Sequence, residues 1–183
     1  MAAIGLGSNS PSVAGSPRET LVAALGALSG PGLSVTAVSR FFRTPAFPPG
    51  SGPDFVNAAA CIDTALTPAA LLDHLHRVEA RFGRERKARW AARTLDIDLL
   101  SVGDAIAPDA DTLRRWMSLD PARQRQETPD RLILPHPRIQ DRAFVLIPLA
   151  EIAPRWVHPL TGADIGAMLA ALPEAEKAAV WPI

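Results

Sequence analysis

Asp96 and Asp98 stand two residues apart in Leu95-Asp96-Ile97-Asp98-Leu99, a run that otherwise reads as a strand. Residues i and i+2 of a strand point to one face, about 6.6 Å apart along the chain. Leu95, Ile97 and Leu99 take the opposite face and can anchor the strand in a core. Aspartate is depleted in strands, so two in alternation ask for a reason. Carboxylates fixed side by side on a rigid element suit hard, oxygen-seeking Mg2+ when phosphates supply its other ligands. The competing reading is a pair of solvated aspartates on an outward face.

Just upstream lies the complementary charge. From Arg77 to Arg93 there are seven basic residues (Arg77, Arg81, Arg84, Arg86, Lys87, Arg89, Arg93) against two acidic ones (Glu79, Glu85), a local +5 on a chain of zero formal net charge. A cationic patch on a neutral chain fits a small polyanion, whereas a nucleic-acid binder is usually basic over a wider face. Guanidinium groups present a fixed fork of donors to phosphate oxygens. Phosphoryl transfer is catalysed mostly by positioning and by stabilising charge on those oxygens. The ordinary alternative for such a run is a solvated basic loop. Here it joins a helix end to the aspartate-bearing strand, which brings cations and carboxylates together. Between Arg84 and Arg93 its only apolar residues are Ala88, Trp90, Ala91 and Ala92, so a loop that closes over ligand and excludes water is expected.

The flanking segments must hold these groups in place. Ala2 to Gly7 reads as a strand running into a Gly-Ser-Asn turn. Ser16-Pro17-Arg18-Glu19 is a capping box with proline at the first helical position, predicting a helix to about Leu28. Leu33 to Phe42 reads as a strand, and Phe55 to Ile62 as another. Between them, Thr44 to Pro53 carries enough proline and glycine to be an irregular loop. Thr67-Pro68 starts a helix with Leu71, Leu72, Leu75, Val78 and Phe82 at helical spacing and Gly83 as the stop. Leu95 to Val102 returns to strand. The order βαββαβ predicts an α+β fold, a ferredoxin-like antiparallel sheet with helices on one face. C-terminal additions follow, with helix possible over Phe144 to Ile152 and Ala163 to Leu172.

At 183 residues and 48% hydrophobic content the chain fits one globular domain with a real core. Its 18 prolines are about twice the usual share of roughly 5% and predict many loops. A single cysteine, Cys61, excludes an intrachain disulfide and fits a reducing compartment; within its apolar run it reads as a buried small hydrophobe. The N-terminus lacks a basic n-region, and no window reaches the length of a membrane span. A cytoplasmic protein is expected, with no membrane and no nucleic acid among its partners.

Gly83-Arg84-Glu85-Arg86, Arg89-Trp90 and Arg93-Thr94-Leu95-Asp96-Ile97-Asp98 together resemble the signature of the hydroxymethyl-dihydropterin pyrophosphokinases of folate biosynthesis. Further motifs follow in that family's order: Gly7-Ser8-Asn9, Phe42-Arg43-Thr44-Pro45, Pro53-Asp54-Phe55-Val56-Asn57-Ala58, and Pro135-His136-Pro137-Arg138 with Arg142-Ala143-Phe144-Val145-Leu146. The matches span Ile4 to Pro154. The resemblance implies one pyrophosphokinase domain over residues 1–183. It also implies the reaction: the pterin hydroxymethyl oxygen attacks the β-phosphorus of ATP, taking the diphosphate and releasing AMP. By resemblance, Asp96 and Asp98 bind two Mg2+ ions, and Arg84 and Arg93 stabilise the transferred group. His76, Glu79, Arg86, Lys87, Arg131, His136 and Arg142 line the ATP site. Glu79 has an equal claim to be an ordinary exposed helix residue. The pterin falls to Gly7, Thr44, Pro45, Phe47, Phe55, Asn57, Trp90 and Phe144. That group makes chemical sense, since a flat amino-pyrimidinone needs aromatic faces and a paired donor and acceptor, which the Asn57 amide carries. The competing role for Phe55 and Phe144 is core packing.

The chain departs from the family at three places. Ala91-Ala92 stands where Gly-Pro is common, the basic loop is one residue shorter before Trp90, and Pro137 replaces a frequent aromatic after the histidine. Gly103 to about Asp130 is longer than the family's connection. A surface insertion without effect on the chemistry is the expectation, against a partner-binding surface built on Trp116 and Met117. No obligatory protein partner is evident. Two other readings exist: an RNA-binding sheet using the basic residues and phenylalanines, and a family member that binds ATP without turnover.

Overall fold

Seven consecutive buried residues, Val56 to Ile62, mark the strand at the centre of the sheet. A strand covered from both sides must be apolar on both faces, and this one (β4, Phe55–Thr64) supplies Ala58, Ala59, Ala60, Cys61 and Ile62 in succession. The structure is a computed structural model that describes residues 1–46, 50, 52–84 and 93–183. Strand β1 (Ala2–Ser8) pairs with β4 along its whole length, from Ala2 opposite Ile62 to Ser8 opposite Val56. Strand β5 (Asp96–Val102) pairs with the free side of β1 and forms one edge. On the far side of β4 lie β2 (Leu33–Val38) and β3 (Phe42–Thr44), end to end along its length. Every pairing is antiparallel.

The single strand expected over Leu33 to Phe42 is therefore two. Ser39 explains the break. Its N–H donates to the Ala59 carbonyl at 2.9 Å, and its hydroxyl accepts from the Ala59 N–H at 2.9 Å. A side chain thus takes the place of a ladder carbonyl, and the chain kinks before resuming as β3.

Helices α1 (Pro17–Leu28) and α2 (Pro68–Arg81) cover one face, as the βαββαβ order requires. The Ser16–Glu19 capping box closes α1, and Thr67 accepts from the Ala70 N–H to cap α2. Leu21, Leu28, Leu71, Leu75 and Val78 from the helices meet Ile4, Leu6, Leu95, Ile97 and Leu99 from the sheet. Gly83 follows α2 with φ +78°, a left-handed value at which glycine carries no Cβ penalty.

The C-terminal part does more than decorate this unit. Helices α5 (Ala143–Ile152) and α6 (Ile165–Ala171) pack Val145, Leu146, Leu149, Ile165 and Met168 on the second face, against Ala3, Ala59 and Leu100. The sheet is thus sandwiched, although α1 and α2 keep to one face. After α7 (Glu174–Ala178), a two-residue strand β6 (Trp181–Pro182) pairs with β3. Between β5 and α5 the chain makes its excursion through α3 (Ala110–Met117) and α4 (Pro121–Gln126), each capped by an aspartate, Asp109 and Asp120. The base of the excursion is pinned where Ala107 and Leu134 exchange backbone hydrogen bonds of 2.9 and 3.0 Å.

Candidate active site

Residues paired directly across neighbouring strands project to the same face. Asp96 lies opposite Gly7, and Gly7 opposite Asn57; one step along, Asp98 lies opposite Gly5, and Gly5 opposite Ala59. Each row holds a carboxylate on β5, no side chain on β1, and a short side chain on β4. Two strand spacings, about 10 Å, separate the carboxylate and amide columns. Glycine keeps the trough between them open: a Cβ on Gly7 would stand 3.0 Å from Asn57 Oδ1 and 3.8 Å from the Phe55 ring. Asn57 is fixed, because its Nδ2 donates to Thr44 Oγ1 at 2.7 Å and both residues are buried. Its Oδ1 is left beside the glycine, over the trough.

On the carboxylate side the charges interlock. Beyond Gly83 the chain turns back, the Arg84 N–H donating to the Glu79 carbonyl at 3.2 Å. The Arg84 guanidinium then bridges Glu79 and Asp96, reaching Asp96 Oδ1 at 2.5 Å. Arg93 takes the other Asp96 oxygen, and Arg142 lies 3.5 Å from Asp98. Glu79 is 1% exposed, which removes the reading of it as an exposed helix residue. Its Oε1 accepts the Ile97 N–H at 2.7 Å. That N–H faces outward from the edge strand, where the sheet offers no partner, so the carboxylate completes the ladder.

Asp98 and His136 are electrically linked. Burial alone would raise the Asp98 carboxyl, but the charges of His136, Arg142, Arg93 and Arg84 hold it below its ordinary value. Burial pushes the His136 imidazole down to about 4, against the pull of Asp98 and with help from Arg142 and Arg138. At neutral pH the pair is therefore an aspartate and a neutral imidazole. The Arg138 N–H donates to His136 Nδ1 at 3.0 Å, which places the imidazole proton on Nε2.

Ser8 and Asn9 were motif residues without an assigned task; the fold gives them one. Ser8 Oγ donates to the Thr94 carbonyl at 2.6 Å. Asn9 accepts the Arg93 N–H at 2.8 Å through Oδ1, donates its own N–H to the Arg93 carbonyl at 3.0 Å, and donates Nδ2 to the Pro53 carbonyl at 3.2 Å. One buried asparagine thus ties the approach to β5 and the loop before β4 to the end of β1. The Gly-Ser-Asn after a strand was the available signal, but only the long-range contacts reveal the clamp.

A cleft of about 560 Å³ opens beside this network, and its lining includes His76, Glu79, Arg84, Asp96, Asp98, Arg131, His136 and Arg142. Eight of the anticipated residues, far apart in sequence, thus meet around one space; they include three of the four expected to serve catalysis (Arg84, Asp96 and Asp98) and five expected on the ATP side. Gly7, Thr44, Phe55 and Asn57 gather at the trough. Pro45 is exposed at the end of β3, and Phe144 is 38% exposed with the Arg142 guanidinium 5.7 Å from its ring centroid, so core packing is not its role. Phe55 is half-buried. Phe47, Arg86, Lys87, Arg89, Trp90 and the Ala91-Ala92 pair lie outside the described residues. Trp116 of the excursion also lines the cleft, while Met117 borders a separate shallow recess with Leu160 and Thr161. Among the described residues no helix is long and apolar enough to cross a membrane.

An α+β sheet that sets paired carboxylates and facing arginines in a cleft of nucleotide size belongs to the class of enzymes that handle phosphate groups. Within that class the chain belongs to the 7,8-dihydro-6-hydroxymethylpterin-pyrophosphokinase family, whose model matches residues 3–154. This family transfers a pyrophosphoryl group from ATP to hydroxymethyldihydropterin in folate biosynthesis. Similar curated proteins are the 2-amino-4-hydroxy-6-hydroxymethyldihydropteridine pyrophosphokinases of Synechocystis sp. (38% identical over 83% of this chain and 66% of that protein) and Pseudomonas aeruginosa (38% identical, 93% and 90%). The chain thus spans just under two thirds of the Synechocystis protein's length. Among solved structures, an HPPK-DHPS in complex with substrates aligns with TM-score 0.60 at 12% identity, over 93% of this chain and 44% of that one. The wild-type HPPK-DHPS of Plasmodium falciparum aligns with TM-score 0.58 at 14% identity, over 92% and 44%. These likenesses share the fold with much longer chains.

Proposed function

We propose that this chain, acting as a single domain in the cytoplasm, transfers diphosphate from ATP to 6-hydroxymethyl-7,8-dihydropterin in a reaction that depends on two Mg2+ ions. The observation that carries the reading is the row Asp96–Gly7–Asn57, which sets an acidic edge opposite an amide across an open trough. The donor set fits Mg2+. Two carboxylates share one face, and among the described residues no cluster of three or more His, Cys, Asp or Glu could hold a metal. Mg2+ is commonly held by one or two carboxylates, with waters and substrate phosphates completing its shell, so no dedicated cage is needed. Bound there, the ions would neutralise triphosphate charge and polarise the attacking hydroxyl.

The chain's own groups do the rest. Asp96 and Asp98 hold the acidic end of the cleft. Arg84 and Arg93, paired with carboxylates in the ligand-free protein, transfer their donors to phosphate oxygens as these arrive and stabilise charge on the transferred group. His76, Glu79, Arg86, Lys87, Arg131, His136 and Arg142 make up the ATP side, with His136 presenting Nε2–H as a neutral donor. The pterin lies over the trough at Gly7, Thr44, Phe55 and Asn57, its pyrimidinone edge on the Asn57 amide, and Pro45, Phe47, Trp90 and Phe144 complete its expected contacts. In this reading the hydroxymethyl oxygen attacks the β-phosphorus in line: the new O–P bond forms, the hydroxyl proton passes to solvent, the bond from the β-phosphorus to the oxygen shared with the α-phosphate breaks, and AMP leaves with that oxygen. Arg84, Arg93 and Arg142 each turn onto a site carboxylate, an arrangement for a compact anion and not for an extended RNA strand.

Incubation with ATP, Mg2+ and hydroxymethyl-dihydropterin should release AMP in proportion to pterin diphosphate formed. Asp98→Ala should abolish turnover while leaving the fold intact; a near-normal rate in that variant would sink the metal assignment.

A further inference from the structure

The excursion between β5 and α5 is not needed to close the sheet, yet it meets the cleft. Its base is pinned by the Ala107–Leu134 pair, two residues before His136. Leu113 of α3 is fully buried and Leu119, just beyond the helix, is buried, so the excursion is seated by its own apolar residues. Between them Trp116 is half-buried and lines the cleft, together with Leu72, Leu119, Pro129, Leu132 and Ile133. The lining therefore has two chemistries, ionic groups around Asp96 and Asp98, and an apolar set with one indole.

ATP has two matching parts, a polyanion and a flat heteroaromatic base. The ionic groups account for the first. For the second, Trp116 supplies the one indole in the lining among the described residues, and Pro137, next to His136, offers no aromatic face. Stacking of a base on an aromatic ring is favourable and indifferent to the details of the base's edge.

We propose that Trp116, presented by α3, packs its indole against the nucleobase of ATP, which makes the excursion a working wall of the nucleotide site. This rests on the assignment of the cleft to ATP made above. Loss of an aromatic stacking partner costs about 1–3 kcal/mol, or roughly five- to 150-fold in affinity at 1.4 kcal/mol per ten-fold. Trp116→Ala should therefore raise KM for ATP about ten-fold or more. Its kcat and its KM for the pterin should stay within about two-fold of wild type, and Trp116→Phe should recover most of the loss. Inorganic tripolyphosphate, which has no base, should inhibit wild type and Trp116→Ala equally. An unchanged KM for ATP, or an equal loss of tripolyphosphate affinity, overturns the proposal. Should the alanine variant fail to fold, tryptophan emission decides: ATP should quench a component in wild type that is absent from Trp116→Phe, and identical quenching in both overturns it. If wild type releases no AMP, the reading of the cleft has failed; if wild type is active and Asp98→Ala is dead while KM for ATP ignores Trp116, only this inference falls.

Discussion

Replacing Glu79 with alanine removes an acceptor on which the edge of the sheet and the site both depend. The Ile97 N–H loses its 2.7 Å bond. Burying that donor without a partner costs about 1–3 kcal/mol. Arg84 loses one of its two carboxylates but keeps Asp96. Breaking a fully buried pair costs about 3–5 kcal/mol. That figure must be reduced here, because Arg84 retains one partner and 19% of its side-chain exposure. Together these effects destabilise the fold by roughly 3–5 kcal/mol. For a chain of this length, at about 2–4 °C per kcal/mol, the ligand-free Tm should fall by about 6–20 °C. Glu79→Gln keeps an oxygen for Ile97 and loses only the charge, so its cost should be roughly 1–2 kcal/mol. Thermal melting followed by circular dichroism, with no nucleotide present, reads both values. If Glu79→Ala melted within about 2 °C of wild type and only its ATP affinity suffered, Glu79 would be a ligand contact and the edge-completing role would be wrong.

Gly7→Ala places a methyl 3.0 Å from Asn57 Oδ1, and Asn57 cannot move aside without losing Thr44. KM for the pterin should rise by about ten-fold with KM for ATP little changed, as initial-rate kinetics with each substrate varied would show. His136 should titrate near pH 4 in the folded protein, as followed by its imidazole Hε1 resonance; a midpoint near its ordinary value of 6.5 refutes the burial argument. The sign for stability follows from that depression. The unfolded chain accepts the proton more readily, so the contribution is complete above pH 6.5 and is lost as the pH falls towards 4. Denaturant melts of wild type and His136→Asn should therefore converge over that window.

What the chain determined by itself was whatever depends on near neighbours. The Ser16–Glu19 box, Thr67-Pro68 and Gly83 set the ends of α1 and α2 because capping is satisfied within one turn. The alternation of Asp96 and Asp98 with Leu95, Ile97 and Leu99 assigned opposite faces because a strand has a two-residue period, and the leucines and isoleucine are indeed buried. The motifs were specific enough to name the family. Even local patterning failed where a distant group intervened, as Ser39 did in splitting the strand from Leu33 to Phe42 by bonding to Ala59.

The tertiary structure alone decided what depends on register and closure. Asp96, Gly7 and Asn57 form one row only because β1 pairs with both β4 and β5 in a fixed register, and nothing within any one segment encodes that alignment. Glu79 looked equally suited to solvent and to ligand until the edge of β5 was laid beside α2. Asn9 is a clamp only when Arg93 and Pro53 are brought to it. Trp116 looked like a surface residue until the Ala107–Leu134 pair set its helix over the cleft. Local spacing fixes which way a side chain points on its own element; what it meets there is fixed by contacts between residues far apart in the chain, and those exist only after the sheet has closed.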